Sequence, residues 1–135
     1  MKPKVLILED QVPIYELLMR VFQNTLPVTE MEFTHASSIE AACGELSKPW
    51  DIILADYALG ASFRPEGSDK DLRTGADLVK ARRTLEKEGK IKPAYIIGMA
   101  PSAAANTLLV SMGANSKVLK VQMMDLSSMV AERIK

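Results

Sequence analysis

Val5-Leu6-Ile7-Leu8-Glu9-Asp10 is a run of four apolar residues closed by two acids. A strand with one wet face alternates apolar and polar residues, whereas an unbroken apolar run suits a strand buried on both faces of a parallel sheet. Ile52-Ile53-Leu54-Ala55 repeats the pattern and also ends in an acid, Asp56. Between these runs, Ile14, Leu17, Leu18, Val21 and Phe22 recur at helical spacing after Pro13, predicting a helix that stops before Pro27. Met31 and Phe33 alternate with polar neighbours over 29–34, predicting a strand at an edge or exposed on one face. Ser37 and Glu40 have the spacing of a capping box in front of a short Ala-rich helix running to Leu46.

Further along, Ala76, Leu78, Val79 and Leu85 make the apolar stripe of a third helix closing at Gly89. Residues 94–97 and 117–119 read as strands, and 103–112 and 124–134 as helices. Residues 60–74 are Gly, Ser, Pro and mixed charges without apolar period, which predicts a long loop. Five strand–helix units argue for a doubly wound parallel sheet, an α/β domain with helices on both faces. Ligands of such sheets bind outside the carboxyl ends of the strands.

The 135 residues are expected to form one domain, 1–135, without a fused DNA-binding output. Seventeen Lys and Arg balance seventeen Asp and Glu, so the chain lacks the basic excess behind non-specific binding to nucleic acid or anionic membrane. At 47% hydrophobic and 25% charged, it has the composition of an ordinary globule. Cys43 is the only cysteine, so no internal disulfide or thiolate metal cluster is expected. Four apolar residues after Met1-Lys2-Pro3-Lys4 fall far short of a signal peptide or membrane span, and a cytoplasmic location is expected.

Glu9 and Asp10 end the first strand, Asp56 ends the third and Lys120 follows the fifth, so one rim gathers four charged groups. Acids also end strands simply because turns and caps favour them. Three carboxylates brought together, however, repel and raise one another's pKa unless a cation lies among them. An all-oxygen donor set favours a hard ion such as Mg²⁺, which keeps waters that a phosphate can replace. Lys120 then meets the phosphate as a point charge.

The acid pair after the first strand, the lone Asp56, Gly113-Ala114 and the Lys seven residues beyond that Gly together resemble the response-regulator receiver domain of two-component signalling, the CheY-like superfamily. The resemblance spans nearly the whole chain. It implies a flavodoxin-like (βα)5 sheet in the order 2-1-3-4-5. It also implies Asp56 as phosphoacceptor, Mg²⁺ held by Glu9, Asp10, Asp56 and the backbone carbonyl of Ala58, and Lys120 on the phosphoryl group. The implied partners are a histidine kinase or phosphotransfer protein, a downstream protein target, and a second copy docked through helix 4, strand 5 and helix 5. No enzymatic activity is expected beyond self-phosphorylation and autodephosphorylation. A carboxylate is a competent nucleophile, and phosphoryl transfer needs mainly positioning and charge neutralisation.

The sequence departs from the receiver pattern in three places. The switch hydroxyl position falls on Gly98, or on Met99 with a one-residue slip, and the position of its aromatic partner falls on Lys117. Losing a hydrogen bond to a charged group, about 1.5–3 kcal/mol, weakens a phosphorylation-driven population shift about 10- to 150-fold. Ser102 is a candidate replacement for that hydroxyl. Val121 stands where a Pro usually follows the Lys. Gly75 follows Asp56 by nineteen residues, so 60–74 carries an insertion of about eleven beside the pocket, a length that marks a loop as functional or disordered. Phe63, Arg64 and Arg73 are its candidate contacts for a partner.

These departures leave a second reading open, a pseudo-receiver acting as a phosphorylation-independent protein-binding module. An Asp-based phosphatase of the haloacid dehalogenase type wants a second acid where Ala58 stands, and Glu9-Asp10 repels the phosphate of a flavodoxin cofactor. The bland readings cover the rest: His35 as a polar strand end, Cys43 as core and Trp50 as a cap on the sheet bottom. Met123, Met124 and Met129 read as core with some scope for docking. Lys80, Arg82, Arg83, Lys87, Lys90 and Lys92 read as a solvated helix face.

Overall fold

The computed structural model describes residues 2–135. Five parallel strands, β1 (Lys4–Leu8), β2 (Glu32–Ala36), β3 (Ile52–Ala55), β4 (Tyr95–Gly98) and β5 (Ser116–Lys117), lie in the order β2-β1-β3-β4-β5. Five helices connect or follow them: α1 (Val12–Thr25), α2 (Ile39–Glu45), α3 (Gly75–Lys87), α4 (Ala103–Ser111) and α5 (Met123–Ile134). This is the expected doubly wound order.

The continuous apolar strands supply both faces of the sheet. Leu6, Leu8, Ile53, Ala55 and Ile96 point to one side, where Ile39, Ala42, Leu78, Val79 and Leu109 of α2, α3 and α4 cover them. Val5, Ile7, Ile52, Leu54 and Ile97 point to the other, against Leu18 and Phe22 of α1 and Leu126 and Val130 of α5. Alternate residues of a strand face opposite sides, so one apolar run builds two cores. Trp50 is buried just before β3, its Nε1 donating to the Glu45 carbonyl at 2.7 Å.

Several local expectations are corrected. The second strand begins at Glu32, because Val28–Glu30 forms a 3-10 turn, and it extends through His35 to Ala36. The cap of α2 is Ser38, which accepts from the Ala41 amide, not Ser37. A full capping box occurs instead at α3, where Thr74 and Asp77 bond each other's backbone amides. β5 is shorter than 117–119, although Val118 N still donates to Gly98 O at 2.9 Å and Lys120 N to Ala100 O at 3.0 Å. No cis peptide occurs among the described residues, the bond before Val121 included.

The basic face assigned to α3 is overturned at two positions. Arg82 is fully buried and donates to the carbonyls of Leu46, Lys48 and Lys92 and to Glu86. Arg83 donates to Gly113 O, Ala94 O, Asn115 Oδ1 and Glu86. Arg82 lies three and four residues beyond Val79 and Leu78, on the apolar stripe itself, and its planar fork satisfies three carbonyls at once, two just after α2 and one before β4. Burial works against the Glu86 carboxylate, but the Ala94 amide and the two guanidiniums outweigh it and hold its pKa below the usual value.

The 60–74 segment is a closed hairpin, not a structureless loop. Phe63 and Leu72 exchange both backbone bonds, at 2.9 and 2.8 Å, and pack their side chains against the α2–α3–α4 core. Arg64 pairs with Asp71 at 2.9 Å across it. At its base, Gly75 N donates to Tyr57 O at 2.7 Å.

Candidate phosphoacceptor and metal site

The parallel ladder continues past the strand ends and sets the site. Glu9 N donates to Ala36 O at 3.2 Å, Asp56 N to Leu8 O at 3.2 Å and Met99 N to Ala55 O at 2.9 Å. Glu9 and Asp56 are thereby fixed side by side at the carboxyl rim, 0% and 1% exposed, with Asp10 more open beside them. One carboxylate oxygen from each of the three can be drawn so that all lie within 4.8 Å of one another.

Lys120 closes the group. Its ammonium lies 2.5 Å from Asp56 Oδ2, to which it donates, and 2.8 Å from Glu9 Oε1. The second contact lacks hydrogen-bond geometry, so Oε1 is buried with no donor properly aimed at it. Asp56 Oδ1 accepts from Tyr57 N at 2.7 Å, and Glu9 Oε2 from Gln11 N at 3.1 Å. Burial pushes the Glu9 carboxyl above its usual pKa, opposed by Lys120 and Gln11 and reinforced by the Asp56 charge. Burial also disfavours the Lys120 ammonium, yet its hydrogen bond to Asp56 and the negative charges of Asp56 and Glu9 beside it prevail and raise its pKa.

A hard divalent cation fits this donor set: three carboxylates, an under-satisfied buried oxygen among them and no sulfur or imidazole donor. His35 does not join the donors. It stacks on Tyr15 with centroids 3.8 Å apart and bonds the Glu9 carbonyl through Nε2 at 2.6 Å. It therefore buttresses the first-strand end from behind. Ala58 lies two residues beyond Asp56 in the turn that leads to the buried Leu59.

Gly75 ties the hairpin to the site. A Cβ there would sit 1.8 Å from the Asp56 carbonyl oxygen, so only glycine lets the chain return this closely. Gly98 pairs with Ala55 next to the pocket and, on its other side, with Lys117, which is exposed. Ser102 is occupied as the α4 cap, accepting from the Ala105 amide at 3.2 Å. Reasoning from sequence alone missed Asn106, which is 2% exposed, because α4 is apolar on nearly every side and its buried face had no periodic signature.

Sheet order, crossover pattern and site position together define the fold of response-regulator receiver domains. Solved structures agree. A CheY-like response regulator receiver domain from Methanospirillum hungatei JF-1 superposes with a TM-score of 0.71 at 16% identity, over 98% of this chain and 94% of that one. A signal receiver domain from Vibrio parahaemolyticus gives 0.69 at 20% identity, over 98% and 90%. The phosphorylated cyanobacterial phytochrome response regulator RcpA gives 0.70 at 14% identity, over 98% and 93%. No protein-family profile matches the sequence, and no curated relative matches it. Among the described residues no helix is long and apolar enough to cross a membrane.

Proposed function

We propose that the chain works as a receiver: Asp56 accepts a phosphoryl group from a histidine kinase or phosphotransfer protein, with Mg²⁺ bound, and the chain signals by protein contact. The observation that carries this reading is the joint placement of Glu9, Asp10 and Asp56 around a common point with Lys120 against both buried carboxylates. An Asp56 carboxylate oxygen forms the new O–P bond while the donor's N–P bond breaks, the phosphoryl group passing between them. Lys120 trades its contact with Asp56 for one with the transferred group and offsets its negative charge. Glu9, Asp10, Asp56 and the Ala58 carbonyl would hold Mg²⁺, which supplies charge neutralisation on the phosphoryl oxygens.

Incubation with acetyl phosphate or beryllofluoride plus Mg²⁺ tests the proposal. The natural chain gains one phosphoryl mass or binds the analogue, and Asp56→Ala does neither. Failure of the natural chain to respond refutes phosphoacceptance. One specific feature favours the pseudo-receiver reading: Gly98 and Lys117 give the pocket neither a hydroxyl nor an aromatic with which to move the output face. Leu108 of α4, Val121 after β5 and Met124 of α5 are exposed, and the α4–β5–α5 face is the one available to a target protein or a second copy.

A further inference from the structure

The space that a side chain at Gly98 would need is already filled. A Cβ there would lie 3.1 Å from Leu109 Cδ1, 3.2 Å from Asn106 Oδ1 and 3.3 Å from Leu109 Cβ. Asn106 thus reaches the end of β4 from inside α4. Its Oδ1 accepts from Ala100 N at 2.9 Å, and its Nδ2 donates to Val118 O at 2.9 Å. Ala100 N can only donate and Val118 O only accept, so the amide has one orientation that satisfies both.

The backbone closes the same loop from the other side, with Lys120 N donating to Ala100 O at 3.0 Å and Val118 N to Gly98 O at 2.9 Å. Residues 98–100 are therefore bonded to both α4 and the 118–120 segment. Moving this junction would strand a buried amide, a buried N–H and a buried carbonyl together, which is unfavourable without water to replace their partners. No hydroxyl is placed to offset that loss, since Gly98 has none and Ser102 caps α4.

We infer that Asn106 latches the β4–α4 junction in one conformation, and that this latch, not the content of the Asp56 pocket, sets the position of α4 against the 118–120 segment. The second half rests on the reading of Asp56 as a phosphoacceptor; the first half does not. Asn106 acts here as a positioning residue, its amide bonded to Ala100 and Val118.

Amide-resolved NMR on the full chain, with and without beryllofluoride and Mg²⁺, tests both halves. In the natural protein the analogue shifts the amides of Tyr57 and Leu59. Ala100, Val118 and α4 keep their shifts and their slow hydrogen exchange, and the Asn106 side-chain amide protons are protected. In Asn106→Ala the Ala100 amide exchanges at least about tenfold faster, and the analogue now shifts α4 and Val118 resonances, a coupling that mere loss of stability does not create. Analogue-driven shifts at Ala100 and Val118 in the natural protein overturn the inference, as does an unprotected Ala100 amide. Faster exchange in the variant without new coupling overturns its second half. If pocket amides ignore the analogue, phosphoacceptance fails, while Ala100 and Asn106 protection in the natural protein still decides the latch. Those measurements need no variant and stand if Asn106→Ala does not fold.

Discussion

Replacing Arg82 with Met removes a fully buried guanidinium whose partners are fixed in place. Its Nη1 lies 2.7 Å from Leu46 O and 2.5 Å from Lys48 O, its Nη2 3.2 Å from Lys92 O, and its Nε 2.9 Å from Glu86 Oε2. Methionine fills much of the volume but donates nothing, so the carbonyls at the end of α2 and before β4 lose their donors. Breaking a buried, hydrogen-bonded pair from one side costs about 3–5 kcal/mol. Domains of this size have about 5–15 kcal/mol in total, and urea slopes are about 1–3 kcal/mol/M, so the unfolding midpoint should fall by about 2 M. Trp50 is the only tryptophan, 5% exposed and bonded to Glu45 O beside the Arg82-bound segment, so its fluorescence reports the transition. Arg82→Lys should recover only part of the loss, because an ammonium cannot span three carbonyls with a planar fork. A midpoint change under about 0.5 M at unchanged slope would show that water already serves these carbonyls and that Arg82 is a surface residue after all.

Three further outcomes follow from the same geometry. Glu86 has a lowered folded pKa, so its contribution is present above the unfolded value of 4.5 and is lost as pH falls through the folded one; the stability gap between the natural chain and Glu86→Gln, read by urea titration, should be constant near neutrality and shrink below pH 4.5. Deleting 65–70 keeps the Phe63–Leu72 closure and should leave stability within about 0.5 kcal/mol while accelerating phosphorylation by kinase or acetyl phosphate if the hairpin shields Asp56; unchanged rates remove the shielding idea. Gly75→Ala forces a Cβ against the Asp56 carbonyl and should cost about 1–3 kcal/mol by thermal melting, with weaker Mg²⁺ binding by calorimetry.

How much was legible in the sequence depended on whether a residue's role was carried by local pattern. The runs at Val5 and Ile52 declared buried strands, and the acids closing them fell where the extended ladder puts Glu9 and Asp56 in contact. Lys120 could be placed at the rim from the end of a strand alone. Arg82 could not, because a charge read singly suggests solvent; only its register with Leu78 and Val79 pointed inward. Asn106 was hidden for the opposite reason, among alanines and leucines that left the buried face of α4 without a distinct periodic signature. The hairpin escaped because its closure depends on two residues, Phe63 and Leu72, whose pairing is set by the core beneath them rather than by a turn signature.

That closed hairpin also makes the neighbourhood of Asp56 extensible. With Phe63 and Leu72 bonded across its neck and Gly75 fastened to Tyr57, the tip from 64 to 71 is closed independently of its own length. Doubling such a loop costs only about 0.6 kcal/mol in closure entropy. The chain can therefore exchange or enlarge this tip, by evolution or by grafting a peptide epitope, on a base fastened beside Asp56 and without redesigning the sheet that builds the pocket.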